Sequence, residues 1–193
     1  MKIIVGLGNP TSKYENTRHN LGFLIIDYLR TELDCSSFNL VNGSLVSKNN
    51  ALGGNVFLLC KPFEYMNNSG KTLKKTLQTL NFEFENVLLI YDELDIEFGK
   101  YKLIKRKEEK IKHLGVRDIE LAFPFSECLK LKVGIRPQSV SSGLVIRDYV
   151  MEEFSSSERR SLLPLFESIL HLVKRFIWLS EKELKDPINY LKK

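Results

Sequence analysis

The first 33 residues constrain this chain most. A β-branched apolar run, Ile3-Ile4-Val5, closes on Gly6-Leu7-Gly8, and an amphipathic segment begins at Leu21. Within that segment Leu21, Ile25, Tyr28 and Leu29 recur at helical spacing. A strand over Lys2–Leu7 followed by a helix over Leu21–Leu33 is the start of an α/β arrangement, in which helices cover a sheet. Glycine tolerates backbone angles closed to other residues, so Gly6 and Gly8 predict a sharp turn that leaves the strand end open to a ligand. Thr17-Arg18-His19-Asn20 lies between that turn and the helix. It places a titratable ring near a strand end, where α/β sheets carry their ligands.

The rest of the chain repeats the alternation. Leu40–Ser47 and Val56–Cys60 read as a strand pair joined by a turn over 49–55. Ser69 is expected to cap a helix that runs to about Leu80. Asn86–Asp92 contains Val87-Leu88-Leu89-Ile90-Tyr91, an uninterrupted apolar run that suits a buried central strand ending in Asp92. Lys130–Ile135 predicts another strand. A last helix over Ser161–Leu179 carries Leu162, Leu165, Phe166, Ile169, Leu170, Val173 and Ile177 on one side, with Pro164 in its first turn or kinking it. With no repeat and no low-complexity linker, 193 residues read as one α/β domain.

Charge is concentrated. Lys100–Arg117 holds eight Lys or Arg against Glu108 and Glu109, so it supplies +6 of a formal net +5 and leaves the remainder at −1. One basic patch favours a localised polyanion contact. Cys35, Cys60 and Cys128 form an odd, widely spaced set, which argues for a reducing compartment rather than a disulfide scaffold. Gly6, Gly8 and Pro10 interrupt any signal-peptide core, and no apolar run approaches the roughly 20 residues of a membrane span. A cytoplasmic chain with no membrane segment is expected. Three His (His19, His113, His171) and three Cys show no metal-ligand spacing.

Four polar side chains fall at or just beyond predicted strand ends: Asn9, His19, Asn67 and Asp92. Such a group suits hydrolysis. A His with an ordinary pKa of about 6.5 serves as general base near neutral pH. A carboxylate on its other ring nitrogen fixes the tautomer and favours the imidazolium formed in the reaction. Amides donate to a carbonyl oxygen as it becomes negative. Each feature also has a plain reading. A His before a helix can be structural, an Asp at a strand end can shape a turn, and Asn67–Gly70 can be a turn with a helix cap. Gly6-Leu7-Gly8 as a dinucleotide loop lacks the third glycine, where Thr11 stands, and an immediate helix.

Gly6-Leu7-Gly8-Asn9-Pro10, Tyr14, Thr17-Arg18-His19-Asn20, Lys61-Pro62, Tyr65-Met66-Asn67-Asn68-Ser69-Gly70 and Asp92-Glu93-Leu94-Asp95 resemble, in order and spacing, the motifs of the bacterial peptidyl-tRNA hydrolases. Lys132–Pro137 and Asp148-Tyr149-Val150 are similar to later landmarks. The resemblance spans nearly the whole chain. It implies a single domain over 1–193, α/β, with a twisted mixed sheet surrounded by helices. It implies a monomeric, cytosolic esterase with no metal and no cofactor. The reaction implied is hydrolysis of the ester joining a peptide, or an N-blocked aminoacyl group, to the 3′-terminal ribose of tRNA. By the same resemblance His19 is the base, Asp92 its supporting carboxylate, and Asn9 the amide that distinguishes blocked from free aminoacyl groups. Tyr14, Tyr65, Met66 and Asn67 fall at substrate- or tRNA-contacting positions, with Tyr65 where Phe is common.

One departure is large. Where the family carries a glycine-rich run ending in His-Asn-Gly, this chain has residues 104–115, charged throughout and ending in His113-Leu114-Gly115. Leu114 has no amide to offer RNA, so that role does not carry over; His113 resembles the family's second loop His, with changed neighbours. This segment is either a solvated charged loop or a phosphate-contacting surface using Lys105, Arg106, Lys107, Lys110 and Lys112. The altered segment also keeps open an alternative, a non-catalytic RNA-binding paralogue.

Overall fold

The computed structural model describes residues 1–50, 56–105, 111–137 and 145–178. Seven strands form one sheet: β1 (Lys2–Gly6), β2 (Asn39–Val41), β3 (Ser44–Lys48), β4 (Phe57–Pro62), β5 (Val87–Glu97), β6 (Tyr101–Ile104) and β7 (Leu129–Arg136). Their order is β2-β3-β4-β1-β5-β7-β6. The pairings β4–β1, β1–β5 and β5–β7 are parallel, whereas β2–β3, β3–β4 and β6–β7 are antiparallel. The sheet is therefore mixed, as expected. Its helices are α1 (Leu21–Glu32), α2 (Ser69–Leu80), α3 (Leu114–Ala122), α4 (Ile146–Met151) and α5 (Ser156–Trp178).

Both faces of the central strands are covered, which is why those strands read as continuous apolar runs. The period-2 alternation divides them cleanly. Ile4, Leu59, Leu88, Ile90, Leu131 and Val133 pack with Leu21, Ile25, Ile26 and Leu29 of α1 and the apolar stripe of α5. Ile3, Val5, Leu58, Val87, Leu89 and Tyr91 pack on the other face with Leu73 and Leu77 of α2 and Val116 and Ile119 of α3. A fully buried Ile or Leu contributes roughly 1.5–3 kcal/mol. The parallel centre is therefore the firm frame on which strand-end residues are hung.

Several expectations are refined. Gly6 and Gly8 do not adopt left-handed angles; those occur at Gly43 and Gly99. The two glycines are needed for close approach instead. A Cβ on Gly6 would lie 2.3 Å from the Gly22 carbonyl oxygen, and one on Gly8 would lie 2.5 Å from the Phe23 ring. The strained backbone sits further on, at Thr11, where φ is +80°. Asp92 does not end its strand: β5 continues to Glu97 through a register shift between Glu93 and Glu97. Ser69 does not cap α2, since its hydroxyl donates to the Met66 carbonyl at 2.8 Å. The Asp118 carboxylate of α3 takes the first-turn amides of Gly70 and Lys71 at 2.7 and 3.3 Å, a charge-assisted bond at the positive end of the helix.

α5 starts five residues earlier than its apolar stripe suggested. Ser155 and Glu158 form a capping box, with Glu158 N–H on Ser155 Oγ at 3.3 Å and Ser155 N–H on Glu158 Oε2 at 2.7 Å. Pro164 therefore lies inside the helix. The three cysteines are free and buried, and burial pushes the thiols of Cys60 and Cys128 up to about 12. Among the described residues no helix is long and apolar enough to cross a membrane. Residues 51–55 of the expected turn, and Leu179 at the expected helix end, lie outside the described residues.

Candidate active site

β1 lies between β4 and β5, so the chain leaves it on one side of the sheet and returns on the other. That reversal opens a crevice beyond the C-terminal ends of parallel strands. Asn9 follows β1, Tyr65-Met66-Asn67 follows β4, and Asp92 lies where the buried run of β5 gives way to half-buried residues. Together with His19 they line a cavity of about 550 Å³.

His19 stands in a 3-10 turn, Arg18–Asn20, immediately before α1. Its Nδ1 is 3.0 and 3.1 Å from the two carboxylate oxygens of Asp92. The Asp92 side chain is 3% exposed and the ring 12%. The turn is tied on both flanks. Asn9 N–H donates to Asn20 Oδ1 at 2.8 Å, and Asn20 Nδ2 donates back to the Asn9 carbonyl at 3.0 Å. On the other flank the Arg18 guanidinium reaches both carboxylate oxygens of Glu158 at 3.2 and 2.9 Å. It also meets the Tyr149 carbonyl at 3.2 Å and lies over the Tyr149 ring at 4.1 Å. Asn9 Oδ1 accepts from Met66 N–H at 2.9 Å, which leaves its Nδ2–H₂ end for a ligand.

A third residue completes the cluster. His113 Nε2 lies 3.0 Å from Asp92 Oδ1, and its ring centroid lies 4.7 Å from that of His19. Burial opposes ionisation of Asp92, but the two imidazoles and their hydrogen bonds hold its carboxyl well below the usual carboxylate range. Burial likewise opposes protonation of His19. The Asp92 charge and hydrogen bond outweigh it and raise the imidazole above its ordinary value.

Two His and one Asp are also the donor types of a transition-metal site, and their ligand atoms lie within 4.8 Å of one another. Sequence spacing gave no sign of this convergence. The wiring is nevertheless that of a hydrogen-bonded carboxylate. Val116 N–H donates to His113 Nδ1 at 3.3 Å, so that ring carries its proton on Nε2, where a metal would need the lone pair.

Of the residues expected at the site, Asn9, Tyr14, His19, Tyr65, Met66, Asn67 and Asp92 all line the cavity. Asn67 is exposed and Tyr65 is 51% exposed, whereas Met66 is buried. Lys105 follows β6, two strands away from β5, and is not part of the cavity wall. Arg106, Lys107 and Lys110 lie outside the described residues. Lys112 is on the wall and donates to both carboxylate oxygens of Asp95 at 2.9 Å. Sequence reasoning did not assign His113, Leu94, Arg147, Val150 or Met151 to the site, yet all line it. The signals for His113 were its match to the His of the family's His-Asn-Gly, weakened by its changed neighbours, and its place just before the segment that folds as α3, Leu114–Ala122.

Comparison with known proteins agrees with this geometry. The sequence profile of the peptidyl-tRNA hydrolase family matches residues 3–192. The peptidyl-tRNA hydrolase of Listeria welshimeri is 34% identical over 194 residues, covering 98% of this chain and 100% of the relative. That of Exiguobacterium sibiricum is 36% identical over 189 residues, covering 92% of this chain and 94% of the relative. Among solved structures, the crystal structure of peptidyl-tRNA hydrolase from Acinetobacter baumannii superposes with a TM-score of 0.80 at 27% identity. It covers 92% of this chain and 88% of that one.

Proposed function

The chain belongs to the peptidyl-tRNA hydrolase family, and from that premise we propose that it hydrolyses peptidyl-tRNA with His19 as general base. The observation that carries the assignment is the Asp92 carboxylate on His19 Nδ1 at 3.0 and 3.1 Å. With Nδ1–H donated to Asp92, the lone pair is on Nε2, for which no protein partner is present among the described residues. His19 Nε2 takes a proton from a water whose oxygen bonds to the ester carbonyl carbon. Asp92 stabilises the imidazolium so formed. Collapse breaks the bond to the ribose 3′-oxygen, which recovers the proton from His19. The products are the free peptide acid and tRNA. Asn9 Nδ2 and the exposed Asn67 amide steady the carbonyl oxygen or the water.

Substrate contacts follow from the cavity wall. Tyr14, Tyr65 and Met66 offer faces to the peptide or the terminal nucleotide. Lys105, Arg106 and Lys107, with Lys112, supply cations for acceptor-stem phosphates, which position RNA without reading its sequence. The reading extends to one domain over 1–193 acting as a cytoplasmic monomer. A non-catalytic RNA-binding role is not favoured, because His19, Asp92, Asn9 and Asn67 line one cavity, which supports the catalytic reading.

The test is release of the blocked amino acid from N-acetyl-aminoacyl-tRNA. General-base catalysis contributes on the order of 10²–10⁴-fold, so His19→Ala loses turnover by that factor while keeping tRNA affinity. Hydrolysis by His19→Ala at the wild-type rate refutes the assignment.

A further inference from the structure

The histidine before α3 has no part in the reaction as just described, although it touches the same carboxylate oxygen as the base. We infer that His113 is a positioning residue, whose Nε2–H holds Asp92 so that His19 meets the carboxylate through Nδ1 and presents Nε2 to the ester. The inference rests on His19 being the base.

The argument is one of donor direction. A backbone amide can only donate, so Val116 N–H on His113 Nδ1 at 3.3 Å places the lone pair of that ring on Nδ1 and its proton on Nε2. Nε2–H then donates to Asp92 Oδ1 at 3.0 Å. The carboxylate of Asp92 is ionised and can only accept, so His19 must supply a donor at Nδ1. The carboxylate itself calls for that tautomer; what the α3 peptide group fixes, through His113 Nε2–H, is where the carboxylate sits when His19 meets it. The geometry also keeps the two imidazoles distinct. A second proton on His113 would point at the Val116 N–H, whereas one on His19 Nε2 points into the cavity. His113 is also fixed by packing, 9% exposed, with the Tyr91 ring edge-on at a centroid distance of 5.2 Å.

The other charges around the cluster are largely committed elsewhere. Glu93 of β5 pairs with Lys132 of β7 at 2.6 Å, and Lys112 pairs with Asp95. Arg18 is held by Glu158 and Glu152. Arg147 of α4 and Tyr14 also face the cavity. None of these donates to Asp92.

The test compares His113→Phe, which keeps a ring but removes the donor, with His113→Gln, whose amide can donate from the position of Nε2. The first readout is the acid limb of kcat/KM between pH 5 and 8 on N-acetyl-aminoacyl-tRNA. With one donor fewer, Asp92 favours the His19 imidazolium more strongly. The limb of His113→Phe therefore moves to higher pH, by on the order of one unit, and that of His113→Gln returns towards wild type. A role in packing alone lowers the rate without moving the limb.

The second readout needs no variant. Imidazole ¹⁵N shifts of the wild-type protein at pH 8 are expected to show the Nε2–H tautomer at His113 and the Nδ1–H tautomer at His19. A limb for His113→Phe that coincides with wild type, or the Nδ1–H tautomer at His113, overturns the inference while leaving an inactive His19→Ala untouched. An active His19→Ala instead removes the reading beneath it.

Discussion

Residues 17–20 and 111–116 each bring a histidine to Asp92, and they do it by opposite means. The first segment is bonded on every side. Arg18 is buried under Glu158, Tyr149 and Glu152, and Asn20 is clasped to Asn9. The second is held by His113, through one bond to Asp92 and one from Val116, and by the burial of Gly115 and Val116 at the start of α3. The residues on either side of His113 turn outward: Leu114 is 47% exposed, and the Lys112–Asp95 pair is exposed on both sides. The base itself is anchored by the first wall, whereas the second reaches it only through His113 and the shared carboxylate of Asp92.

The comparison is broken most severely at the residue the two segments share. Asp92→Asn keeps the shape but offers an amide that can donate, so His19 is no longer required to be the Nδ1–H tautomer. Turnover of N-acetyl-aminoacyl-tRNA is expected to fall on the order of 10²–10⁴-fold with tRNA affinity retained. A loss below tenfold contradicts the role given to Asp92.

Arg18→Ala is next. It leaves Glu158 without its cation in a setting where both side chains are mostly buried, at 7% and 16% exposure. Removing one partner of such a pair costs about 3–5 kcal/mol. Thermal unfolding should therefore shift down by several degrees, and more than for Leu114→Asn or Lys112→Gln on the second wall. A melting temperature equal to wild type would show that the first wall is not the better-held one.

This contrast also explains what could be read from the chain. The α/β class was legible because apolar runs such as 87–91 are long enough to need cover on both faces. His19 and Asp92 were legible because strand-end positions in such a sheet converge whatever the loops do. The role of Gly6 was not, since nothing local reveals that Gly22 will pack 2.3 Å from a Cβ placed there. Nor was the position of Asp92 within its strand, because β5 runs on through polar residues that pair with β7. The contact of His113 with Asp92 was hidden for the same reason: α3 has nine residues, and the approach of its first turn to Asp92 is a fact of tertiary packing. The charged patch was visible as composition, and composition did not separate Lys112, on the cavity wall, from Lys105, two strands away.

The pH dependence sharpens the asymmetry between the two rings. His19 is raised above its ordinary value, and the protonated ring cannot act as base. Activity is therefore present above the raised value and lost as pH falls through it, with the slope of one proton. The midpoint on kcat/KM should lie above about 6.5, the value for an unperturbed imidazole. A flat profile from pH 5 to 8 contradicts this.

Leu114→Asn and Lys112→Gln are the mildest changes, and they examine the second wall alone. Restoring an amide at position 114 adds a donor at the rim without touching the Asp92 cluster. It should lower KM for N-acetyl-aminoacyl-tRNA a few-fold and leave kcat in place, which is the mark of binding gained equally in ground and transition states. Lys112 is exposed and its partner Asp95 is exposed, so Lys112→Gln should leave the melting temperature unmoved. If its ammonium leaves Asp95 for an RNA phosphate on binding, the slope of log affinity against log salt falls by about 0.7–0.9. An unchanged slope means that Lys112 stays with Asp95 in the complex. The phosphate contacts of this wall would then have to come from other cations, and Arg147 of α4, which faces the same cavity, is the next residue to replace.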